Sequence, residues 1–238
     1  MQWALSEISG YSVHARDGSL GIVQDMYFDD VDWRVRYLAV SGGVRSGPGK
    51  FLLAPEVISS TDREFGLISV FLRTAAVHES PLIAAERNLP RQEECRLREY
   101  YGWPNYWPAP MSAEQLAHAQ APGSPRLHSL EDVLGYRILA DGEDLGPLID
   151  LIVDDHTWKI HCLEMDASSW LPDGRAWVRS DSIQQVCEAK KQIALTIRRE
   201  AVLAGQQPDL QRLCASDGAL APHDNSAVKR MYEGAPAA

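Results

Sequence analysis

The sequence contains no C-x-x-C pair. Its four cysteines, Cys95, Cys162, Cys187 and Cys214, are scattered along the chain. That excludes a zinc-ribbon type of metal clip and leaves reduced cysteines of a cytoplasmic protein as the expected reading. Long apolar runs are missing too: nothing approaches the ~20 residues that span a bilayer. The opening stretch, MQWALSEISGY, has neither a basic n-region nor an apolar h-region, so no signal peptide is expected. The expected location is cytoplasmic, with peripheral attachment to a membrane left open. Basic residues are in deficit, 23 Lys and Arg against 33 Asp and Glu, for a net charge of −10. Tracking phosphates needs the opposite balance, so direct nucleic-acid binding is disfavoured.

Catalytic signatures are absent as well. There is no G-x-S-x-G, Walker loop, G-x-G-x-x-G or H-E-x-x-H, so the chain is expected not to be an enzyme, with no catalytic, cofactor or metal residues to assign. The glycine-rich SGGVRSGPGK ends in Lys50, but no helix follows to aim amide groups at a phosphate.

What the sequence does have is an internal repeat. The stretch from Gly10, GYSVHARDGSLGIVQDMYFDDVDWRVRYLAV, aligns without a gap on GYRILADGEDLGPLIDLIVDDHTWKIHCLEM from Gly135. The offset is 125, and it holds from Leu5/Leu130 to Val77/Val202 with 17 identical pairs in 73 positions. An unbroken register of this length reads as a duplicated module. Each copy reads as strands. YSVHA is followed by a turn at Asp17-Gly18, and LGIVQDMYFD is closed by a turn at Asp29-Asp30. WRVRYLAV, FLLA and GLISVFL follow. Short strands with close turn signals suggest a small barrel. The later stretch SDSIQQVCEAKKQIALTIRREAVLAG has a helical composition, but its partner carries Gly66 and β-branched residues. The repeat therefore predicts strand, turn at 188–191, strand, and a short helix from about Arg198 to Leu203.

Residues 78–127 have no repeat partner. A helix is expected from Pro90 or Arg91 to Tyr100, with Leu97, Tyr100 and Tyr101 on one face. The aromatic stretch EYYGWPNYW places Tyr100, Tyr101, Trp103, Tyr106 and Trp107 within eight positions, in a chain with nineteen aromatics. The overlapping WPNYWPAP is stiffened by prolines and reads as extended. SAEQLAHAQAPGSPR reads as a weak helix and linker, and residues 206–238 as a disordered tail. The expected organisation is repeat 1 over 1–78, an aromatic-rich linker over 79–127, repeat 2 over 128–205 and the tail over 206–238.

The pattern Gly10, Tyr11, Asp17, Gly18, Leu20, Gly21, Asp25, Asp29, Asp30, Trp33 and RYLAV resembles the PRC-barrel family. It recurs as Gly135, Tyr136, Leu145, Gly146, Asp150, Asp154, Asp155, Trp158 and HCLEM. That family includes the barrel of the photosynthetic reaction centre H subunit and the C-terminal barrel of the ribosome maturation factor RimM. The resemblance implies an all-β fold: two tandem small barrels with short helices. It supplies turns and core but no catalytic residue. It also implies docking onto a larger protein or membrane-protein complex, with photosynthetic or electron-transport complexes as the expected kind; the alternative is an RNA-processing or ribosome-assembly accessory, and an enzyme ranks third. Self-association is compatible with it.

The acidic turns at Asp29-Asp30 and Asp154-Asp155, with Asp25 and Asp150, read as structure rather than a cation site. Hard cations need six or more converging oxygens, and Asp25 and Asp29 are about 13 Å apart along a strand. In DDHTWKIHC, the donors Asp155, His156, His161 and Cys162 stand where the first copy has Asp30, Val31, Arg36 and Tyr37; no metal site is assigned. Trp33 and Trp158 read as packing, while Trp170 and Trp177 are unique to the second copy. The five clustered aromatics could bury on the order of 750–1,250 Å² at ~150–250 Å² each. They are read as a clamp, either gluing two barrels together or sealing one, in preference to a ligand surface.

Overall fold

The computed structural model describes residues 2–42, 50–81, 89–107 and 127–205. The chain is mostly β. Fourteen strands form two seven-stranded sheets among the described residues. The first repeat supplies β2 (Ser12–Ala15), β3 (Gly18–Asp29), β4 (Arg34–Ser41), β5 (Phe51–Leu53), β6 (Ile58–Asp62) and β7 (Leu67–Val70). The second supplies β9 (Arg137–Ala140), β10 (Glu143–Asp154), β11 (Ile160–Asp166), β12 (Arg175–Arg179), β13 (Ile183–Cys187) and β14 (Gln192–Leu195). Two three-residue strands, β1 (Gln2–Ala4) and β8 (Leu127–Ser129), complete the set.

The sheets share one topology. Strand order is β5-β4-β3-β2-β7-β6 in one and β12-β11-β10-β9-β14-β13 in the other. In each, one neighbouring pair is parallel, β2 with β7 and β9 with β14. The 125-residue offset maps β2, β3, β6 and β7 onto β9, β10, β13 and β14 with both ends in register. The helix-like stretch after Ser182 is β13, a 3-10 turn at Glu188–Lys190, β14 and then a helix over Arg199–Gly205, as the repeat register requires. The first hairpin turn falls at Arg16-Asp17, one residue before the Asp17-Gly18 position expected, because Gly18 already belongs to β3.

Backbone pairing explains several residues of the shared pattern. The amide of Gly10 donates to the carbonyl of Val23 at 2.7 Å, and Gly135 to Leu148 at 2.9 Å. Val23 and Leu148 donate back to Tyr11 and Tyr136 at 2.9 and 2.8 Å. Gly21 and Gly146 lie at register shifts of their hairpins. A strand reading of WRVRYLAV puts Val35, Tyr37 and Ala39 on one face, but Val35 through Val40 are all buried, because Arg36 and Leu38 are covered on the second face too.

The compact units are not contiguous stretches. Among described residues, one contains 2–7, 30–35 and 130–205; the other contains 8–29, 36–42, 50–81, 89–107 and 127–129. The strand that precedes each repeat thus belongs to the sheet of the other repeat. β1 pairs with β10, with Gln2 opposite Asp154, Trp3 opposite Val153 and Ala4 opposite Ile152. β8 pairs with β3, with Leu127 opposite Asp29, His128 opposite Phe28 and Ser129 opposite Tyr27.

Among the described residues the α-helices are α1 (Thr74–His78), α2 (Arg91–Tyr101), the single turn α3 (Leu130–Val133) and α4 (Arg199–Gly205). The weak helix and linker expected over SAEQLAHAQAPGSPR, most of SGGVRSGPGK and the tail over 206–238 lie outside the described residues.

Candidate functional site

A cluster of ionisable and aromatic side chains forms where α2 and the aromatic segment meet β4 from Arg36 onward, all within one compact unit. Pro90 opens α2 with φ −64°, and Gly102 closes it in the left-handed region at φ 68°. The amide of Trp103 reaches back to the carbonyl of Arg98 at 2.8 Å, and that of Gly102 to Glu99 at 3.2 Å. These two bonds make a Schellman motif, which needs a residue free to adopt positive φ. The turn folds Trp103 onto Tyr101, ring on ring, at 4.2 Å and 9°.

The buried face of α2 is Glu94, Leu97, Arg98 and Tyr101, the i, i+3, i+4, i+7 positions of one helical stripe. Tyr100, expected on that face, is 41% exposed, and its hydroxyl donates to the carbonyl of Ala76 at 2.8 Å. Glu94 is 1% exposed and accepts from two phenols on one oxygen, Tyr37 at 3.0 Å and Tyr106 at 2.7 Å. Arg91 pairs with its other oxygen and donates to the Tyr106 hydroxyl at 2.8 Å. Arg98 is 2% exposed. It donates to the Tyr37 hydroxyl at 3.2 Å, to Glu56 at 3.5 Å, and through Nε and Nη2 to the carbonyl of Pro104. Arg36, paired with Asp29, stacks 3.9 Å from the Tyr106 ring centre, and Arg91 lies 4.2 Å from that of Trp107. Tyr106 meets Trp107 edge to face at 4.6 Å.

The electrostatics follow from burial. Removal from water pushes the Glu94 carboxyl above its ordinary value, against the pull of Arg91 and the two phenols. The same desolvation raises the phenols of Tyr37 and Tyr106, so both stay protonated and can donate. The charges of Arg91 and Arg98 are held in place by their acidic and phenolic neighbours, which outweigh desolvation. The carboxylate of Glu94, the guanidinium groups of Arg91 and Arg98 and the phenols of Tyr37 and Tyr106 are matched to one another, which is the chemistry of a fastening, while the buried indole N–H of Trp103 has no hydrogen-bond partner among the described residues.

All five aromatics of the cluster are thus accounted for. Tyr101 and Trp103 are buried, Tyr106 and Trp107 half-buried, and Tyr100 exposed. Sequence reasoning missed their partners Arg36, Tyr37, Glu56, Arg91, Glu94 and Arg98. One signal could have found two of them. Arg36 and Tyr37 become His161 and Cys162 in the second copy, so the segment without a repeat partner sits on β4 residues that the repeat does not share.

The repeated acids do not converge. Asp25 accepts from the Ser129 hydroxyl at 2.7 Å and from the amide of Met26 at 2.8 Å. Asp150 accepts from the amide and hydroxyl of Ser6 and from the amide of Leu151 at 2.7 Å. Asp154 caps its turn through the amides of His156 and Thr157 and the Thr157 hydroxyl, and Asp29 pairs with Arg36. Asp30 and Asp155 are partly exposed beside them. Among the described residues no group of three or more His, Cys, Asp or Glu is placed to hold a metal ion. His156 is exposed and Cys162 fully buried. Trp33 and Trp158 are buried at φ 53° and 57°. The indole of Trp170 donates to the Leu145 carbonyl at 2.6 Å under the guanidinium of Arg199, and Trp177 is half-buried.

Comparison with protein-family models finds no match to this chain, and comparison with curated proteins finds none either.

Proposed function

We propose that the chain is a non-enzymatic assembly module of PRC-barrel type, two small barrels in tandem that dock onto a larger protein or membrane-protein complex. The observation that carries this reading is the use made of the buried ionisable groups. Glu94, Arg91, Arg98, Tyr37 and Tyr106 are matched to one another, and Asp25 and Asp150 fasten backbone and serine hydroxyls. These seven groups, which have the chemistry to act on a substrate, are committed to holding elements together. The aromatic segment then serves as a clamp on the first barrel. The resemblance of the repeated glycine, acid and tryptophan pattern to that family supports the barrel reading and the expectation of docking. No described helix is long and apolar enough to cross a membrane, so a membrane complex would be met through a protein partner or at its surface.

Affinity capture from the native cell, with identification of what co-purifies, tests the proposal. Stoichiometric recovery of photosynthetic or electron-transport subunits is the expected result. Recovery of ribosomal subunits instead would move the assignment to ribosome assembly. Substrate turnover by the purified protein would refute the non-enzymatic reading.

A further inference from the structure

The two short strands β1 and β8 point to an exchange that need not stay within one chain. Their registers are reciprocal. Gln2 faces Asp154 and Leu127 faces Asp29; Ala4 faces Ile152 and Ser129 faces Tyr27. Adding 125 to the first residue of each β1 pair, and subtracting it from the second, gives the β8 pair. Each arm therefore lies along the same three positions of the long strand of the repeat that is not its own. The acids that fasten the arms are shared too, although the serines they hold are at different repeat positions. These buried acids are Asp150, gripping Ser6 just past β1, and Asp25, gripping Ser129 at the end of β8. A third exchange occurs in the unit that contains β1. Val35 donates to the carbonyl of Trp158 at 2.8 Å and Ile160 to that of Trp33 at 2.6 Å, again residues related by the offset.

Such i-with-j, j-with-i pairing is the signature of an isologous interface between two like bodies. Here the like bodies share one chain. The acceptor edges at 27–29 and 152–154 recognise an arm by its backbone, a buried side chain (Trp3 or His128) and a serine donor to the acid below. A second copy of the chain presents all of these in the same register; an unrelated extended peptide would have to reproduce them. Joining both repeats covalently gives each arm a high effective concentration near its edge, which favours the closed monomer when dilute. The contacts themselves are indifferent to whether the arm comes from the same chain.

We propose that this chain forms a strand-exchanged homodimer, in which β1 of one copy pairs with β10 of the other in the register seen within the monomer. Cysteine pairing reads this directly, with the four native cysteines replaced by serine or alanine. One full-length chain carrying both Ala4→Cys and Ile152→Cys reports the closed form by an intrachain disulfide. Two differently tagged chains, one with Ala4→Cys and one with Ile152→Cys, are then unfolded together and refolded over a range of concentrations. The expected result is an interchain disulfide between the two tags. Its yield should rise roughly tenfold per tenfold increase in concentration while the dimer is a minor species. Light scattering on the unmodified chain, refolded the same way, should show a species of twice the chain mass. The proposal is overturned if the double variant closes its disulfide but the mixture gives no interchain product at any concentration. It is equally overturned if the double variant fails to cross-link, since the arm is then not where the exchange requires it, or if a dimer forms without the cross-link.

Discussion

At the scale of single residues, the most constrained positions are Gly21 and Gly146. Both have φ in the region that side chains avoid, 127° and 136°. A Cβ at either would be driven into a backbone carbonyl, that of Ser41 for the first and Asp166 for the second. Those two carbonyls are themselves related by the offset of 125, so the close approach of a hairpin to the end of its neighbouring strand is built twice. Backbone, unlike a flexible side chain, cannot move aside cheaply. Gly21→Ala or Gly146→Ala is therefore expected to cost about 3 kcal/mol or more, read as a fall in the denaturant midpoint at unchanged slope. Gly66 and Lys191 give the opposite case. They are equivalent in the repeat and share φ 59° and 52°, but the second copy puts an exposed lysine where the first has glycine. The left-handed conformation costs a side chain ~1–2 kcal/mol, against ~0.5–1 kcal/mol of extra entropy lost by glycine. Lys191→Gly is expected to stabilise the protein by about 0.5–1 kcal/mol, measured by the same denaturation. Both positions were legible in the sequence, because an aligned repeat turns one copy into a control for the other.

At the scale of elements, α2 shows where sequence reading failed. Its extent was readable to within one residue, expected from Pro90 or Arg91 to Tyr100 and found over Arg91–Tyr101, but its buried face was not. Periodicity ranks apolar residues inward, and so selects Leu97, Tyr100 and Tyr101. The face that packs is Glu94, Leu97, Arg98 and Tyr101, because β4 and the aromatic turn bring phenols and a carbonyl that satisfy the charges. The arms β1 and β8 were illegible for another reason. They are three residues long, too short for alternation, and share no identical residue, since backbone pairing at an edge does not depend on side-chain identity. Burial of Glu94 has a measurable consequence. Below about 4.5, its ordinary value, the carboxyl is protonated in both folded and unfolded chains. Above that, the unfolded chain releases the proton while the folded chain retains it up to its raised pKa. The folded state then binds more protons, so this group's contribution to stability falls as pH rises across that window, by at most ~1.4 kcal/mol per pH unit. Above the raised value it is constant. Asp17, held low chiefly by the amide of Thr74, and Asp166, by that of Ser168, act with the opposite sign and below 3.8, outside this window. Glu94→Gln keeps an acceptor for both phenols but cannot ionise. Its stability relative to the wild type is expected to increase as pH rises from about 4.5 and then level off, in parallel thermal melts. A difference that is flat with pH would show that Glu94 ionises as easily in the folded protein as in the unfolded chain.

At the scale of the whole chain, the decisive property is that sequence order and compact units interleave. Residues 2–7 and 30–35 belong with 130–205, and 127–129 with the sheet of the first repeat. A half-chain cut between the repeats therefore keeps its own arm, for which it has no edge, and lacks the arm that its own edge requires. It also loses one side of the Val35–Trp158 and Ile160–Trp33 bonds. Those bonds help to hold Trp33 and Trp158 at positive φ, a conformation that costs a bulky residue ~1–3 kcal/mol and that burial of both indoles offsets. Deprived of the partner backbone, each tryptophan turn is free to relax. Residues 1–107 and 127–238 expressed as two separate chains are thus expected to co-purify as a complex that melts in a single transition. Each alone should be aggregated, or should melt well below the intact chain. The readout is differential scanning calorimetry on the intact chain, the complex and each fragment. Two fragments that each melt cooperatively at the midpoint of the intact chain would show that the exchanged arms contribute nothing to stability. A fragment that is unfolded alone but recovers on addition of its counterpart would locate the cooperativity of the chain in the exchange itself.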